Sequence, residues 1–576
     1  MRRRQALRFE LALLTCAIGT AAFGTSVSPP SRPAAASPNC VVSALSGFAI
    51  ANVSIATAAS VPAVAPNPQY CLIHGAVTTL GDGAGPGSAE FLLRLPALWN
   101  KRFLFFGCGG NCGSVKAIAA NATDVAVALG LGYAVVNTDA GHEQDPSTPD
   151  PTWILLASGV PNEPAIIDFF YRAVHQVTVA TKTLTEDYYS NKIAFAYFDG
   201  CSTGGRQSIM ESDRYPEDFD GLIAGDPIID LDNQRASTIK QAKTFLAPTA
   251  YIPFSLIPNI DALVLANCDA ADGVADALIQ NPALCSFDPR SLVPASLTGA
   301  QAHALVLYLT ELVDTEGQPV SPGMTIGSYA TSGFEQQAEV SEPAADPTGA
   351  EPWGGVGLGP SAWTLGDAGI RYFVERDPTY DVNNDWPEHG NVISAAAVAL
   401  LRQRTGAGDS DDPQSLHRFL RQGRKIILYH GFSDDMASPY RSLWFYRALA
   451  RQERGYARLQ EGARLFMVPG MGHCKGGPGP NSFNTLTALD DWVSKGIAPE
   501  SIVAKNIESS RTMPLCKFPE EARYVGGEVN VASSWECDAR DKRLLEIGYD
   551  GALAGADADH NDRHSPEGDE HDVNEQ

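Results

Sequence analysis

The sequence predicts an α/β fold in which parallel strands alternate with helices around a central sheet. Six short apolar runs end in Gly or Asp, a pattern typical of buried parallel strands. Helical stretches, such as those that begin at Glu163 and Ser438, separate the runs, and this alternation indicates β-α-β units. The runs are RFLFFG from 102, YAVVNTDAG from 133, KIAFAYFDG from 192, GLIAGDP from 221, KIILYHGFSD from 425 and RLFMVPGMGH from 464.

The alternation of strands and helices is interrupted in the middle of the chain. It stops after Pro227 and resumes near Lys425, and the interval is rich in Pro, Gly and Asp. With 576 residues, the chain has room for a large core and a second unit. We therefore expect a core made of residues 37–227 and 421–545, with residues 228–420 inserted as a separate domain.

The two ends of the chain have compositions that differ from the rest. Residues 1–36 combine a basic start, a short apolar run and a Pro- and Ala-rich stretch, which together predict a secretory signal peptide and leader. An uncleaved N-terminal anchor is the alternative. Residues 546–576 are acidic and nearly free of apolar side chains, so we expect a disordered tail.

Charge and cysteine content restrict the partners and the compartment. A net charge of −25 would repel phosphate backbones, which argues against a nucleic-acid partner. Once the signal is cleaved, we expect a secreted or periplasmic protein that makes no membrane contact.

The cysteine count agrees with that compartment. Of 11 cysteines, Cys16 lies in the predicted signal, and the even remainder suits an oxidising compartment. The local disulfides expected from the sequence are Cys40 with Cys71, Cys268 with Cys285, and Cys516 with Cys537.

The stretch YFDGCSTGGRQ from Tyr197 has the pattern of a nucleophile elbow. Gly200 and Gly204 flank Ser202 at two residues on either side, with an apolar strand before them and a plausible helix after. Small residues at these positions permit the tight strand-to-helix turn that exposes the serine hydroxyl. The pattern predicts Ser202 as a catalytic nucleophile, which needs a hydrogen-bonded base and an orienting carboxylate.

The base and the acid should follow later strands, because α/β-hydrolases use the chain order Ser, Asp or Glu, His. The run ending in HGFSDD offers Asp434 or Asp435, and the run ending in GMGHC offers His473. His430 also ends a strand, but it precedes the carboxylate. We interpret it as a structural loop histidine.

Cys201 directly precedes the serine, and Cys474 directly follows the histidine. If Ser202 and His473 lie within hydrogen-bond reach, the two cysteine backbones come close to bridging distance. The alternative, a cysteine nucleophile, would have to stay reduced in an oxidising compartment. We therefore expect a Cys201–Cys474 disulfide that joins the nucleophile turn to the base.

The motifs GCSTGG, HGFSD and GMGHC together resemble the tannase and feruloyl esterase family, which includes the mono(2-hydroxyethyl) terephthalate hydrolases. The resemblance runs from about Cys40 to Cys537. It implies an α/β-hydrolase fold whose inserted domain is a lid. It also implies a secreted serine carboxylesterase for small aromatic esters of feruloyl or hydroxycinnamoyl, galloyl or terephthaloyl type, with Ser202 as nucleophile, Asp434 as acid and His473 as base.

The same resemblance implies an oxyanion hole. Its donors would be the backbone N–H of Thr203 and a second N–H from Gly109 or Gly110 in the loop GCGGNCGS. This loop follows the strand RFLFF, where a hydrolase needs a donor that faces the acyl oxygen. Cys108 and Cys112 depart from the commoner glycine-rich loop, and the sequence leaves open whether they form a local bridge or stay free.

The stretch CDAADGVADALIQNPALC in the insertion holds three aspartates, Asp269, Asp272 and Asp276. Clustered carboxylates repel one another unless a hard cation lies among them, but composition alone equally fits a solvated acidic loop. The family resemblance implies Ca²⁺, with the carbonyl groups of Val274 and Leu278 completing the shell. Such an ion would stabilise the lid and take no part in the chemistry.

Other functions remain compatible with this pattern. A catalytically inactive, calcium-stabilised binding protein could use the same scaffold, although the intact Ser, Asp, His order argues against it. An acyltransferase or a hydrolase of aliphatic polyester fragments would share the same residues, because pocket shape is set by the inserted domain.

Overall fold

The computed structural model describes residues 39–121, 123–144, 150–327, 330, 342–355 and 357–539. The predicted signal and the predicted tail lie outside these residues. The central element is a nine-stranded sheet. Its strands, in chain order, are β1 (Val53–Val61), β2 (Tyr70–Thr79), β3 (Gly87–Pro96), β4 (Arg102–Phe106), β5 (Ala134–Thr138), β6 (Phe195–Cys201), β7 (Gly221–Gly225), β8 (Lys425–Gly431) and β9 (Ala463–Val468).

The spatial order of the sheet is β1-β2-β3-β5-β4-β6-β7-β8-β9. The six runs predicted as strands are β4 to β9, and every neighbouring pair among them is parallel, which confirms the α/β class. β1, β2 and β3 add an antiparallel section at one edge, and β3 joins it to β5. The sequence analysis did not identify these three strands.

Helices cover both faces of the sheet. Longer ones begin after the strands, as the β-α-β pattern predicts, and short ones fill the connections. In chain order they are α1 (Val42–Ser46), α2 (Val125–Gly130), α3 (Glu163–Ile167), α4 (Ala173–Tyr189), α5 (Thr203–Arg214), α6 (Leu231–Thr244), α7 (Ile257–Cys268), α8 (Gly299–Leu309), α9 (Ser361–Ala368), α10 (Val382–Asp385), α11 (Ala395–Thr405), α12 (Pro413–Arg421), α13 (Pro439–Gln452), α14 (Tyr456–Leu459) and α15 (Thr485–Lys495).

Side chains of β4 show how the sheet is buried on both sides. Phe103 and Phe105 belong to the apolar cluster that includes α4 and α13, whereas Leu104 and Phe106 belong to the cluster that includes α2 and α15. All four are buried. A strand buried on both faces has no polar alternation, which explains why these runs are continuously apolar.

Two helices contain π-helical segments, and several short strands lie outside the main sheet. The π-helical segments are Asp168–Arg172, between α3 and α4, and Gly369–Glu375, after α9. The short strands pair as Leu155–Ala157 with Val160–Pro161, Ser501–Lys505 with Thr512–Cys516, and Glu520–Tyr524 with Trp535–Ala539; Pro319–Ser321, Leu312–Asp314, Val392–Ile393 and Glu388–His389 form a small sheet in that order.

Strands β7 and β8 are parallel neighbours, yet residues 226–424 separate them in the chain. The described part of this interval consists of helices and irregular segments, and its strands form the small four-stranded sheet. It contributes most of one apolar cluster, around Trp363 and Trp386, and forms another, around Tyr308. The boundaries 37–227, 228–420 and 421–545 remain predictions.

Five disulfides lie within the described residues. They join Cys40 to Cys71, Cys268 to Cys285, Cys516 to Cys537 and Cys201 to Cys474, the pairs expected from the sequence, and also Cys108 to Cys112. In the same part of the chain, none of the helices combines the length and the apolar character needed to cross a bilayer.

Candidate active site

Ser202 occupies the turn between β6 and α5. Its φ of 63° and ψ of −123° form a strained conformation that the surrounding structure must hold in place. A Cβ on Gly200 would lie 2.5 Å from the carbonyl oxygen of Gly204, and one on Gly204 would lie 3.1 Å from the backbone of Gly107. These glycines are therefore required by the close approach of β4, β6 and α5, and the half-buried Ser202 sits in the expected elbow.

Asp434 and His473 lie in the loops that follow β8 and β9. Oδ2 of Asp434 is 2.7 Å from Nδ1 of His473, and Oδ1 accepts hydrogen bonds from the backbone N–H groups of Met436 and Ala437 at 2.8 and 2.9 Å. The carboxylate bonded to the imidazole is thus that of Asp434 and not that of Asp435. With Nδ1 bonded to a carboxylate, Nε2 is the nitrogen that faces the reacting hydroxyl in a Ser-His-Asp arrangement.

The electrostatics of this pair favour opposite charges. Burial alone would raise the pKa of Asp434, but the rings of His473 and His430 together hold it below its usual range. Burial alone would lower the pKa of His473, but the Asp434 carboxylate overrides that effect and raises it above the usual value. The pair can therefore stabilise an imidazolium that forms when His473 takes a proton.

The Cys201–Cys474 disulfide holds the serine turn next to the histidine loop. Its Cα atoms are 5.9 Å apart, although the two residues are separated by 273 positions in the sequence. Ser202 follows one cysteine and His473 precedes the other, so the bridge holds their two backbone segments close together. Because Cys201 is bonded to another sulfur, it is not available as a nucleophile.

Backbone donors surround the position beside Ser202. Thr203 is the first residue of α5, so its N–H has no partner in the helical ladder, and its hydroxyl donates to the carbonyl oxygen of Gly110 at 2.6 Å. The N–H of Gly109 donates to Ala117 at 3.3 Å. Gly110 has a left-handed φ of 57°, and its N–H makes no backbone hydrogen bond within the described residues. Of the two glycines expected as donors, the geometry favours Gly110.

The Cys108–Cys112 disulfide encloses this glycine loop. The Gln207 side chain, from α5, accepts a hydrogen bond from the Cys108 N–H at 3.1 Å and lies with its Nε2 3.1 Å from the Cys108 sulfur. The loop is thus fixed by the bridge and by the helix that begins at the nucleophile. The two cysteines, whose state the sequence left open, form a local bridge.

A cavity of about 330 Å³ borders the glycine loop. None of its lining side chains in the described chain carries a charge, and α9 supplies one wall. The lining residues are Gly109, Gly110, Asn111, Cys112, Ala117, Ile118, Gln144, Ser361, Thr364, Leu365 and Met436.

A second cleft, of about 460 Å³, shares Gln144 with this cavity. Its lining includes the carboxylates of Glu90, Asp139, Glu143 and Asp150, which disfavour an apolar acyl group. The uncharged cavity beside the glycine loop is the better candidate for the substrate.

Comparison with known proteins assigns the chain to a family. The model of the tannase and feruloyl esterase family matches residues 73–538, most of the chain. The chain belongs to the tannase and feruloyl esterase family. It is therefore a carboxylic ester hydrolase with the α/β-hydrolase fold, as the motifs implied.

Individual relatives of this esterase agree with that assignment. A mono(2-hydroxyethyl) terephthalate hydrolase from Piscinibacter sakaiensis is 30% identical over 541 residues, covering 82% of this chain and 85% of the relative. A probable feruloyl esterase from Arthroderma benhamiae is 29% identical over 470 residues, covering 77% and 81%. The crystal structure of feruloyl esterase B from Aspergillus oryzae superposes with a TM-score of 0.71 at 25% identity, covering 85% and 97%.

The sequence analysis placed one polar residue of this esterase wrongly, in a loop, and did not identify a second. His430 is not in a loop but within β8, fully buried, and its Nε2 lies 3.1 Å from Oδ2 of Asp434. Asp226 follows β7 directly and is equally buried. A signal for Asp226 did exist, because GLIAGDP carries an aspartate at the strand end just as HGFSD does. Burial of His430 could not be read from spacing.

The loop proposed for calcium holds its aspartates through backbone donors. Asp269 accepts hydrogen bonds from the N–H groups of Asp276 and Ala277 at 3.1 and 2.9 Å, and Asp272 accepts one from Gln280 at 3.2 Å. One oxygen of Asp276 lies 2.9 Å from Arg511 Nη1. Three carboxylates are thus gathered in one loop, but an arginine already neutralises part of their charge.

Two observations test whether a cation fits this loop. Oδ1 of Asp276 is buried without a hydrogen-bond partner in the described chain. Burial, reinforced by the charges of Asp276 and Asp269, raises the pKa of Asp272 to about 7. Among the residues that the structure describes, Asp269, Asp272 and Asp276 do not lie close enough together to form a shared three-carboxylate site, so the loop would have to contract around a cation. The donor set of hard oxygens nevertheless suits Ca²⁺.

Proposed function

We propose that the chain is a secreted serine carboxylesterase that hydrolyses small aromatic esters through Ser202, His473 and Asp434. The single observation that carries the proposal is the hydrogen bond between Asp434 and His473, at 2.7 Å, in a loop that a disulfide joins to the serine turn. Relatives named feruloyl esterase and mono(2-hydroxyethyl) terephthalate hydrolase support the aromatic substrate class.

The proposed reaction proceeds through an acyl-enzyme. His473 removes the hydroxyl proton of Ser202 as the oxygen attacks the ester carbonyl, and Asp434 stabilises the imidazolium. His473 then protonates the leaving alcohol. Water enters, gives its proton to the same imidazole and releases the acid, so that Ser202 is restored.

Two backbone N–H groups would stabilise the tetrahedral oxyanion. The donors would be the N–H groups of Thr203 and Gly110. The Thr203 hydroxyl donates to the Gly110 carbonyl oxygen at 2.6 Å, so the two residues are held next to each other. A fixed donor of this kind is typically worth about 3 kcal/mol of transition-state stabilisation. The glycine loop would therefore contribute directly to catalysis, although less than the triad.

The inserted residues are proposed as a lid that shapes the acyl pocket. Helix α9 belongs to the interval between β7 and β8 and lines the cavity of about 330 Å³ beside the glycine loop. A cavity of this size and uncharged lining suits one aromatic ring with a short side chain. A free carboxylate on the acyl group would find no cation in this lining.

Secretion and a structural cation complete the proposal. Five disulfides among the described residues suit an oxidising compartment, in agreement with the signal expected in residues 1–36. Asp269, Asp272 and Asp276, with the carbonyl groups of Val274 and Leu278, would bind Ca²⁺. The ion would neutralise the loop charge and stabilise the fold without entering the reaction.

The proposal is tested by initial rates on methyl ferulate, methyl gallate and mono(2-hydroxyethyl) terephthalate, for the wild type and Ser202→Ala. We expect turnover of at least one ester and its loss in the variant. The ester turned over fastest identifies the acyl preference. If all three are inert while an aryl acetate is cleaved through Ser202, the aromatic substrate class is wrong; if no ester is cleaved, an inactive binding scaffold is favoured.

A further inference from the structure

A second histidine lies behind the catalytic acid. His430 is fully buried in β8, and its Nε2 lies 3.1 Å from both Oδ2 of Asp434 and the carbonyl oxygen of Ala437. Nδ1 lies 2.7 Å from the hydroxyl of Ser442. Since both close neighbours of Nε2 are acceptors, this nitrogen carries the proton and donates to the carboxylate.

A second buried aspartate lies next to that histidine. Oδ1 of Asp226 accepts the N–H of Gly431 at 2.8 Å and lies 3.8 Å from Nε2 of His430. Asp226 has a φ of 37°, in the left-handed region that non-glycine residues seldom adopt. Its backbone N–H donates to Tyr429 at 2.8 Å. A strained residue held by two hydrogen bonds to β8 therefore connects β7 to the strand that carries the acid.

The same backbone segment reaches the nucleophile. The carbonyl oxygen of Gly225, next to Asp226, accepts the N–H of Ser202 at 2.9 Å. Hydrogen bonds thus link the serine turn to Gly225 and link its neighbour Asp226 to β8, the strand that precedes the Asp434 turn. A displacement of Asp226 would therefore shift both the serine turn and the Asp434 turn.

The hydrogen-bonding capacity of Asp434 is filled by these contacts. Oδ1 receives two backbone N–H groups, and Oδ2 receives His473 on one side and His430 on the other. A carboxylate with four donors cannot rotate without losing one. Burying an additional histidine and aspartate is costly for a fold, and an apolar pair could have filled the same volume.

We propose that His430 and Asp226 are positioning residues that set the orientation and the basicity of the Asp434–His473 pair with opposite effects. The inference rests on the proposed function of that pair. The donor of His430 withdraws part of the Asp434 charge from His473, so it makes His473 less basic. Burial raises the pKa of Asp226 itself to about 7, and above that pH its negative charge acts on His473 directly and makes it more basic.

Other groups face His473, and the test must separate them. The carboxylate of Asp435 also raises the pKa of His473. The phenol of Tyr429 lies near Asp226, but burial raises its pKa well above the usual value, so it stays neutral and adds no charge. Changes at His430 and Asp226 leave Asp435 in place, which makes their effects separable.

The experiment compares kcat, KM and the pH profile of kcat/KM for His430→Leu, His430→Gln and Asp226→Asn, in the intact protein with methyl ferulate or whichever ester it cleaves. His430→Leu removes the donor, and His430→Gln, the matched control, keeps an N–H. A hydrogen bond to a charged group corresponds to a factor on the order of 10 to 100. We expect His430→Leu to lower kcat by that factor with KM nearly unchanged, and His430→Gln to restore most of it.

The pH profile provides the readout that a merely structural role would not move. His473 must be neutral to act as base, so the acid limb of kcat/KM follows its pKa. We expect His430→Leu to shift that limb to higher pH and Asp226→Asn to shift it to lower pH. If the acid limbs of both variants coincide with that of the wild type, the inference is overturned even if kcat falls. If His430→Leu does not fold, the pKa of His473 is measured by ¹³C-histidine NMR in Asp226→Asn. The inference predicts a lower pKa than in the wild type, and an unchanged pKa would overturn it.

These outcomes differ from those that test the proposed function. If Ser202→Ala loses all activity and the variant limbs do not move, the esterase stands and the positioning role is wrong. If the wild type shows no turnover that depends on Ser202, the esterase proposal fails and the positioning role fails with it.

Discussion

Asp434 is buried and Asp272 is half-buried, and their pKa values move in opposite directions. Burial acts on both, but two imidazole rings hold the pKa of Asp434 below its usual range. The carboxylates of Asp276 and Asp269 reinforce burial at Asp272 and raise its pKa to about 7. One carboxylate has the cationic partners it needs within the chain, and the other lies among like charges.

The difference is consistent with one acidic site that serves the proposed chemistry and another that serves the proposed cation. At the ends of β8 and β9, the donors to Asp434 come from side chains and backbone that the sheet fixes in place. In the loop from Asp269 to Leu278, backbone N–H groups satisfy part of each carboxylate, and Arg511 neutralises part of the charge. We therefore expect changes at Asp434 to affect turnover and changes at Asp272 to affect stability.

Replacing each aspartate by asparagine gives the largest contrast. Asp434→Asn offers His473 the wrong hydrogen-bonding partner, and we expect kcat to fall on the order of 10⁴-fold. Asp272→Asn, the matched control, should leave kcat unchanged and lower the melting temperature. The measurement is the initial rate at saturating ester. Equal losses of kcat in both variants would contradict the proposal that Asp434 affects turnover and Asp272 affects stability.

Removing the bridge between the serine turn and the histidine loop should have the next largest effect. We expect Cys201→Ser with Cys474→Ser to lower kcat on the order of 100-fold, because a displacement of about 1 Å between reacting groups has that effect. The loss of a long-range disulfide should also lower stability by about 2–5 kcal/mol. Undiminished turnover of the folded variant would show that the bridge does not align the site. Calcium content, measured by atomic emission, should not change.

The bridge in the glycine loop should matter less. Cys108→Ser with Cys112→Ser would loosen the Gly110 N–H, and we expect a fall in kcat on the order of tenfold, less than the complete loss of an oxyanion donor. KM should stay nearly constant, since the donor acts on the transition state. Steady-state kinetics on the variant would contradict this role if KM alone rose.

Chelation should produce the smallest effect on activity and a clear effect on stability. Removing a structural cation would leave the carboxylates of Asp269, Asp272 and Asp276 to repel one another. We expect EDTA to lower the melting temperature by at least about 3 °C and to leave kcat at low temperature unchanged. The same treatment of Asp272→Asn is the control and should have little further effect. An identical melting temperature with and without EDTA in the wild type would argue against a bound ion.

The sequence predicted one part of the sheet and missed another for a physical reason. β4 to β9 are buried on both faces, so each is a continuous apolar run that ends in Gly or Asp. β2 alternates buried and half-buried residues along Tyr70–Thr79, and β1 is largely exposed. Polar side chains on the open face of such antiparallel strands interrupt the apolar pattern, so periodicity did not identify them.

The candidate site divides in the same way. Ser202 and His473 could be proposed from motifs, because turn glycines and adjacent cysteines leave a local signature. The choice of Asp434 over Asp435 followed only from the family resemblance until the contact with His473 was seen. The proposed role of His430 and Asp226 depends on where their side chains point in the buried space between β7 and β8. The residues next to them in the sequence do not determine that direction.

The central claim is that the charges at the strand ends activate Ser202, whereas those of the Asp269–Leu278 loop do not. The most direct test is the rate at which a serine-directed phosphonate labels the peptide that carries Ser202, followed by mass spectrometry. We predict labelling of Ser202 in the wild type and in Asp272→Asn at similar rates, and strongly slowed labelling in Asp434→Asn. Absence of label on wild-type Ser202, or an equal rate in Asp434→Asn, would contradict the account.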